Sequence, residues 1–171
     1  MKIIDTKVLV RTALLLALTL LFQWSRFLLP VPPVFSTIVT GTLVNACLVI
    51  AAGSISLYSA AVIGIVAPIV AYFQGLLPLP VFVFPIALAN FFYVAILSAV
   101  KRNIWLSISI ASVVKAGALY VIFLWLLTWI NIDSKVATGI LFIMSWPQLF
   151  TAAMGAVLAT LVVRRAGHWV K

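Results

Sequence analysis

The chain has 171 residues, 66% of them hydrophobic and 8% charged, with a net charge of +9. Soluble domains carry about 25% charged residues, and a chain of this size buries only about 70% of its surface on folding. A soluble fold is therefore excluded. The composition predicts an all-α integral membrane protein: one domain over 1–171, with no room beside it for a soluble catalytic domain.

Spans of about 20 residues fit six times, at about 8–29, 36–53, 56–73, 81–100, 104–130 and 136–163. The first apolar run continues past Trp24 and Phe27 without a small-residue cleavage site, so it is read as a span rather than a signal peptide. The GSIS segment at 53–56 is the weakest boundary. The connections are short, which makes consecutive helices antiparallel neighbours. Six spans place Lys2, Lys7, Arg11, Lys101, Arg102, Arg164, Arg165 and Lys171 on one side, and Arg26 and Lys135 on the other. The positive-inside rule then makes both termini cytoplasmic. The proline-rich loops LPVPPVF (29–35) and QGLLPLP (74–80) face outward, either as helix punctuation or as stiff walls of a site.

The two acids, Asp5 and Asp133, both fall outside the spans. Ion-driven carriers, drug exporters for cations and intramembrane metalloproteases all need acids or histidines within the bilayer, so these classes are set aside. The basic residues flank apolar runs, which fits topology signalling and contact with anionic lipid rather than nucleic acid. Cys47 and His168 are each the single residue of their type, so no cofactor or metal is expected. Ser112 and Lys115, one turn apart, could form a nucleophilic dyad, but no His or acid supports it and an enzyme is not expected.

The remaining polar groups gather toward the outer helix ends: Gln23, Trp24 and Arg26 (QWSR), Asn45, Gln74, Asn90, Tyr93, and Trp146 with Gln148 (SWPQ). A buried amide costs several kcal/mol in lipid unless hydrogen-bonded, so each could be glue between helices. Together, amides and rings also form the lining that a small polar ligand requires, and Pro147 frees backbone groups beside Gln148. Arg26 could snorkel to headgroups or balance an anionic ligand, and Lys115 could snorkel inward or act at the site. A cationic site without acids favours a neutral or anionic compound. Small residues four apart recur at Ala13/Ala17, Ala60/Gly64, Ala67/Ala71, Ala152/Ala156 and Gly155/Ala159, a spacing that admits close helix approach.

The size, basic charge, six spans, the ALLLA motif over 13–17, the outward PVPP segment, TGTLVN at 40–45 and FPIALAN at 84–90 together resemble the substrate-binding S component of energy-coupling-factor (ECF) vitamin transporters. The resemblance covers essentially the whole chain. It implies a cell-membrane protein of a prokaryote that captures a water-soluble vitamin or precursor from outside, with the loops between helices 1–2 and 3–4 closing over the site. It also implies docking through Ala13 and Ala17 to a membrane coupling subunit, with two cytoplasmic ATPases supplying the energy. Pantothenate is the ligand that best matches Arg26 and the amides, ahead of pyridoxine-like compounds, pyrimidines and nicotinate. The alternative is a membrane scaffold subunit of cell-wall machinery, which would have a filled bundle.

Overall fold

Most helix starts among the described residues carry a visible cause. The computed structural model describes residues 5–28, 32–100, 103–130 and 132–167. Asp5 accepts from the Lys7 backbone N–H at 3.0 Å and opens α1 (Thr6–Ser25). Proline at the first turn opens α2 (Pro33–Ser54), where its missing N–H would be unpaired anyway. Ser56 accepts from Ser59 N–H at 3.0 Å and opens α3 (Leu57–Phe73), so the weak GSIS boundary is a real break, made by a capping serine. Asn103 accepts from Trp105 N–H at 3.0 Å at the head of α5 (Ile104–Trp129). Asp133 does the same for Lys135 N–H at 2.8 Å at the head of α6 (Ser134–Ile143).

The end of α3 turns at Gly75, whose φ of 72° is a conformation costly for other residues. It lets Leu76 N–H reach the Ala71 carbonyl at 2.9 Å and releases the chain toward a 3₁₀ turn, Pro80–Phe82, and then α4 (Val83–Ala99). The sixth predicted span, 136–163, is not continuous. It breaks at Met144 and Ser145 into α6 and α7 (Trp146–Arg165). Pro147 is the reason: inside an unbroken helix it would remove a hydrogen bond and clash with the preceding turn, whereas in the first turn of α7 it costs neither.

Among the described residues the structure is all-helical. Five segments are long and apolar enough to cross a membrane: Thr6–Ser25, Val34–Ser54, Pro80–Ala99, Ile104–Trp129 and Ser134–Arg165. The 17 residues of α3 are apolar but shorter. Large apolar side chains cover the outer surface of the bundle, among them Phe73, Phe84, Trp125 and Val121. This fits a multi-pass membrane protein, since no water-exposed surface of that composition would stay monomeric.

Helix α2 packs most extensively on α7, α4 lies between α3 and α5, and α1 closes one side against α2 and α3. The small-residue pairs explain the closeness. Ala60/Gly64, Ala67/Ala71, Ala152/Ala156 and Gly155/Ala159 are all buried in these contacts, whereas Ala13 and Ala17 are exposed on α1. Leu48, Ile63, Tyr93, Val94, Ala111 and Ala152 form a tight core in one half of the bundle. Phe82 and Phe123, with ring centroids 4.9 Å apart, anchor the other half, nearer the Gly75–Pro80 connection. Lys7 and Arg11 at the start of α1 share an end of the bundle with Arg164 and Arg165 at the end of α7. An apolar groove lined by Arg11, Ser54 and Val162 lies between them. Lys2, Lys101, Arg102, His168, Lys171 and the 29–31 part of the first proline loop lie outside the described residues.

Candidate ligand cavity

The half of the bundle beyond the tight core is not filled. It holds a cavity of about 250 Å³, room for about eight waters at ~30 Å³ each. Residues from α1 to α5, from α6 and α7, and from the Leu76–Pro78 stretch line it. Gln23, Arg26, Asn45, Asn90 and Gln148 are all among them, so five of the amide and cationic residues singled out from the sequence share one space.

The floor is a polar cluster built around Lys115, which is 2% exposed. The amine donates to Asn45 Oδ1 and, at 2.7 Å, to Asn90 Oδ1, joining α5 to α2 and α4. It also lies 4.9 Å from the centre of the Tyr93 ring, over whose face a cation is attracted. Tyr93 in turn donates its hydroxyl to the Ala152 carbonyl at 2.7 Å, tying α4 to α7. Lysine here does not snorkel toward either membrane face, as one reading of the sequence had it. Its stem turns into the bundle.

The backbone sets the orientation of both asparagines. Pro68 has no N–H, so the Gly64 carbonyl one turn earlier in α3 is left without its helical partner. Asn90 Nδ2 donates to that carbonyl at 3.1 Å, which leaves Oδ1 to face Lys115. Asn45 Nδ2 points at Thr151 Oγ1 on α7 at 3.4 Å, and its Oδ1 likewise faces the amine. Close approach of α2 and α7 makes this contact. An ideal Cβ on Gly155 would lie 2.6 Å from Asn45 Cβ and 2.7 Å from the Thr42 carbonyl oxygen, so this position admits glycine alone without a shift.

Nearer the mouth, Arg26 Nη2 donates to Thr37 Oγ1 at 3.2 Å, so the guanidinium is turned along the wall rather than fully out to headgroups. Gln23, 7% exposed, donates from Nε2 to the Ala67 carbonyl at 3.1 Å, while its Oε1 is buried without a hydrogen-bond partner. Thr40 Oγ1, on the same lining, is also buried and unpartnered.

Four candidates take other places. Tyr93 supports the floor from beneath and does not line the cavity. Gln74 caps the end of α3, and its Oε1 is buried away from the cavity lining. Trp24 and Trp146 are 53% and 49% exposed on the outside of the bundle. Trp24 lies at the end of α1 and Trp146 at the start of α7, as Trp105 and Trp129 lie at the two ends of α5. Ser112 Oγ is buried without a partner and makes no bond to Lys115, so no Ser–Lys dyad exists in this arrangement.

The sequence left Lys115, the centre of this cluster, open between snorkelling and a role at the site. The signal for it was indirect: Pro68 orphans a carbonyl in α3, a side-chain amide must satisfy it, and that amide is then oriented toward a donor. No protein-family model, curated protein or solved structure matches the chain.

Proposed function

We propose that this chain is the solute-capture subunit of an ATP-driven importer of the energy-coupling-factor type, taking up a small water-soluble vitamin or precursor. The observation that carries the reading is the cavity itself: amide and cationic residues from five helices, Gln23 and Arg26, Asn45, Asn90, Lys115 and Gln148, line about 250 Å³ of space within an apolar bundle. A scaffold subunit has no use for such a space, because unfilled polar volume costs packing and leaves groups unsatisfied.

In this reading six spans place both termini and the Arg11–Arg164–Arg165 end in the cytoplasm of a prokaryote, and the cavity opens outward past the Leu76–Pro78 stretch. Pantothenate is the best single candidate, with pyridoxine-like compounds, pyrimidines and nicotinate behind it; the volume suits compounds of that size and is too small for most drug-sized ligands. The chain performs no catalysis. Energy comes from two cytoplasmic ATPases through a membrane coupling subunit, which meets α1.

The exposure of Ala13 and Ala17 supports that docking face. Four of the five small-residue pairs are consumed by packing inside the bundle, and this pair is left outside, where another helix could approach closely. Replacing both by leucine tests the reading. Solute binding by the purified variant is expected to stay within about twofold, because neither side chain nears the cavity, while uptake in cells supplied with a coupling module falls at least tenfold. Unchanged uptake would remove α1 as the docking face; loss of both properties would mean that the stripe is part of the fold.

A further inference from the structure

The lysine on the cavity floor has no counter-charge among the described residues. The two side-chain carboxylates are spent elsewhere: Asp5 caps α1 and Asp133 caps α6, both exposed at helix starts. A buried cation without a paired anion is strongly disfavoured, and neutral acceptors offset that only in part. Lys115 has two such acceptors, Asn45 Oδ1 and Asn90 Oδ1. An ammonium carries three donors; two are taken, the Tyr93 ring face lies 4.9 Å from the amine, and the residue lines the cavity, with no anion among the described residues to balance the charge.

The geometry points to Lys115 as the anchor for a carboxylate of the captured solute, with that carboxylate supplying the anion the floor lacks. This deepens the capture reading and rests on it. A carboxylate suits the floor better than a phosphate, because Lys115 is the one cation there and both asparagine amides already donate to Gly64 and Thr151. A multiply charged anion would find too few donors on the floor, because Arg26, the other cation of the lining, donates to Thr37 nearer the mouth. The opposite need appears nearer the mouth. Gln23 Oε1 is a buried acceptor without a partner, which a ligand hydroxyl or amide N–H would satisfy; Thr40 Oγ1, also unpartnered, can donate as well as accept. The solute class is therefore a small carboxylic acid. A lysine that merely ties three helices together would affect stability but would not distinguish an acid from its neutral counterpart.

Isothermal titration of the purified chain in detergent with two such pairs, pantothenate against panthenol and nicotinate against nicotinamide, makes the distinction. One acid is expected to bind wild-type protein at least tenfold more tightly than its neutral partner, and Lys115→Met should bring the two to the same level. Asn45→Asp guards against a folding defect. Its carboxylate would occupy Lys115 from inside the protein, with the Thr151 hydroxyl turning to donate to it. Acid binding should then fall at least tenfold relative to binding of the neutral partner. A neutral compound that binds as well as its acid, or an acid whose affinity survives Lys115→Met in folded protein, overturns the assignment and leaves solute capture standing. Binding by none of the four overturns it as well, and so does release of a neutral solute or a long-chain fatty acid from denatured wild-type protein. Capture itself falls only if no water-soluble solute is released.

Discussion

Gly155→Val is expected to cost about 3 kcal/mol or more of stability, at the upper end of what overpacking a filled interior does. The reason is where the new atoms would go. Even one methyl group would meet Asn45 Cβ at 2.6 Å, the Thr42 carbonyl oxygen at 2.7 Å and the Ala46 nitrogen at 3.0 Å. The latter two are backbone atoms of α2, which cannot rotate aside, so the two helices must separate. Because α2·α7 is the most extensive helix contact, that separation is felt throughout the bundle and pulls Asn45 away from Lys115. Gly53→Ala and Gly117→Ala are the controls. Nothing lies within 4 Å of a Cβ at either position, and both glycines are helical. Removing a poor helix former there should change stability by less than about 1 kcal/mol, in the favourable direction. Thermal unfolding of the three variants in one detergent gives the comparison. Equal effects at Gly155 and Gly117 would contradict the packing described for α2 and α7.

Asn90→Leu should be nearly as severe, at about 3 kcal/mol, for a different reason. It withdraws one of two side-chain acceptors from a buried amine and re-exposes the carbonyl that Pro68 leaves without a donor. Removing one partner of a buried charged group costs far more than removing both. The double variant Asn90→Leu with Lys115→Met is therefore expected to be more stable than the sum of its parts by about 1 kcal/mol or more, a coupling readable from a double-mutant cycle. Strict additivity in unfolding measurements would mean that the amine and the amide do not depend on each other.

Much of the helical layout was legible from residues alone. Punctuation at Ser56, Gly75, Asn103 and Asp133 marks the breaks, and each acts through a side-chain cap or a positive φ that the sequence displays. The break before Pro147 was misplaced because a proline near a span centre was read as a local disturbance of one helix. The bundle instead ends one helix and begins another. Four amides of the cavity lining, Gln23, Asn45, Asn90 and Gln148, were legible because an amide in an apolar run is conspicuous. Trp24 and Trp146 were grouped with them by proximity in sequence, but a helical rotation places these rings on the outside while Gln23 and Gln148 face in. Gln74 sits at the C-cap of α3 and is not among the residues that line the cavity. The role of Lys115 depends on four helices meeting at one point, α2, α4, α5 and, through Thr151, α7. No single segment encodes that meeting.

The central claim is that the cavity above Lys115 holds a water-soluble solute. Its most direct test is mass spectrometry of small molecules released by denaturing the protein after purification from cells grown in rich medium. The account predicts one water-soluble compound at near-equal stoichiometry with the chain. It should be absent from Asn45→Asp protein prepared in parallel. Release of phospholipid alone from well-folded wild-type protein would contradict the account and leave the polar floor as a tie between helices.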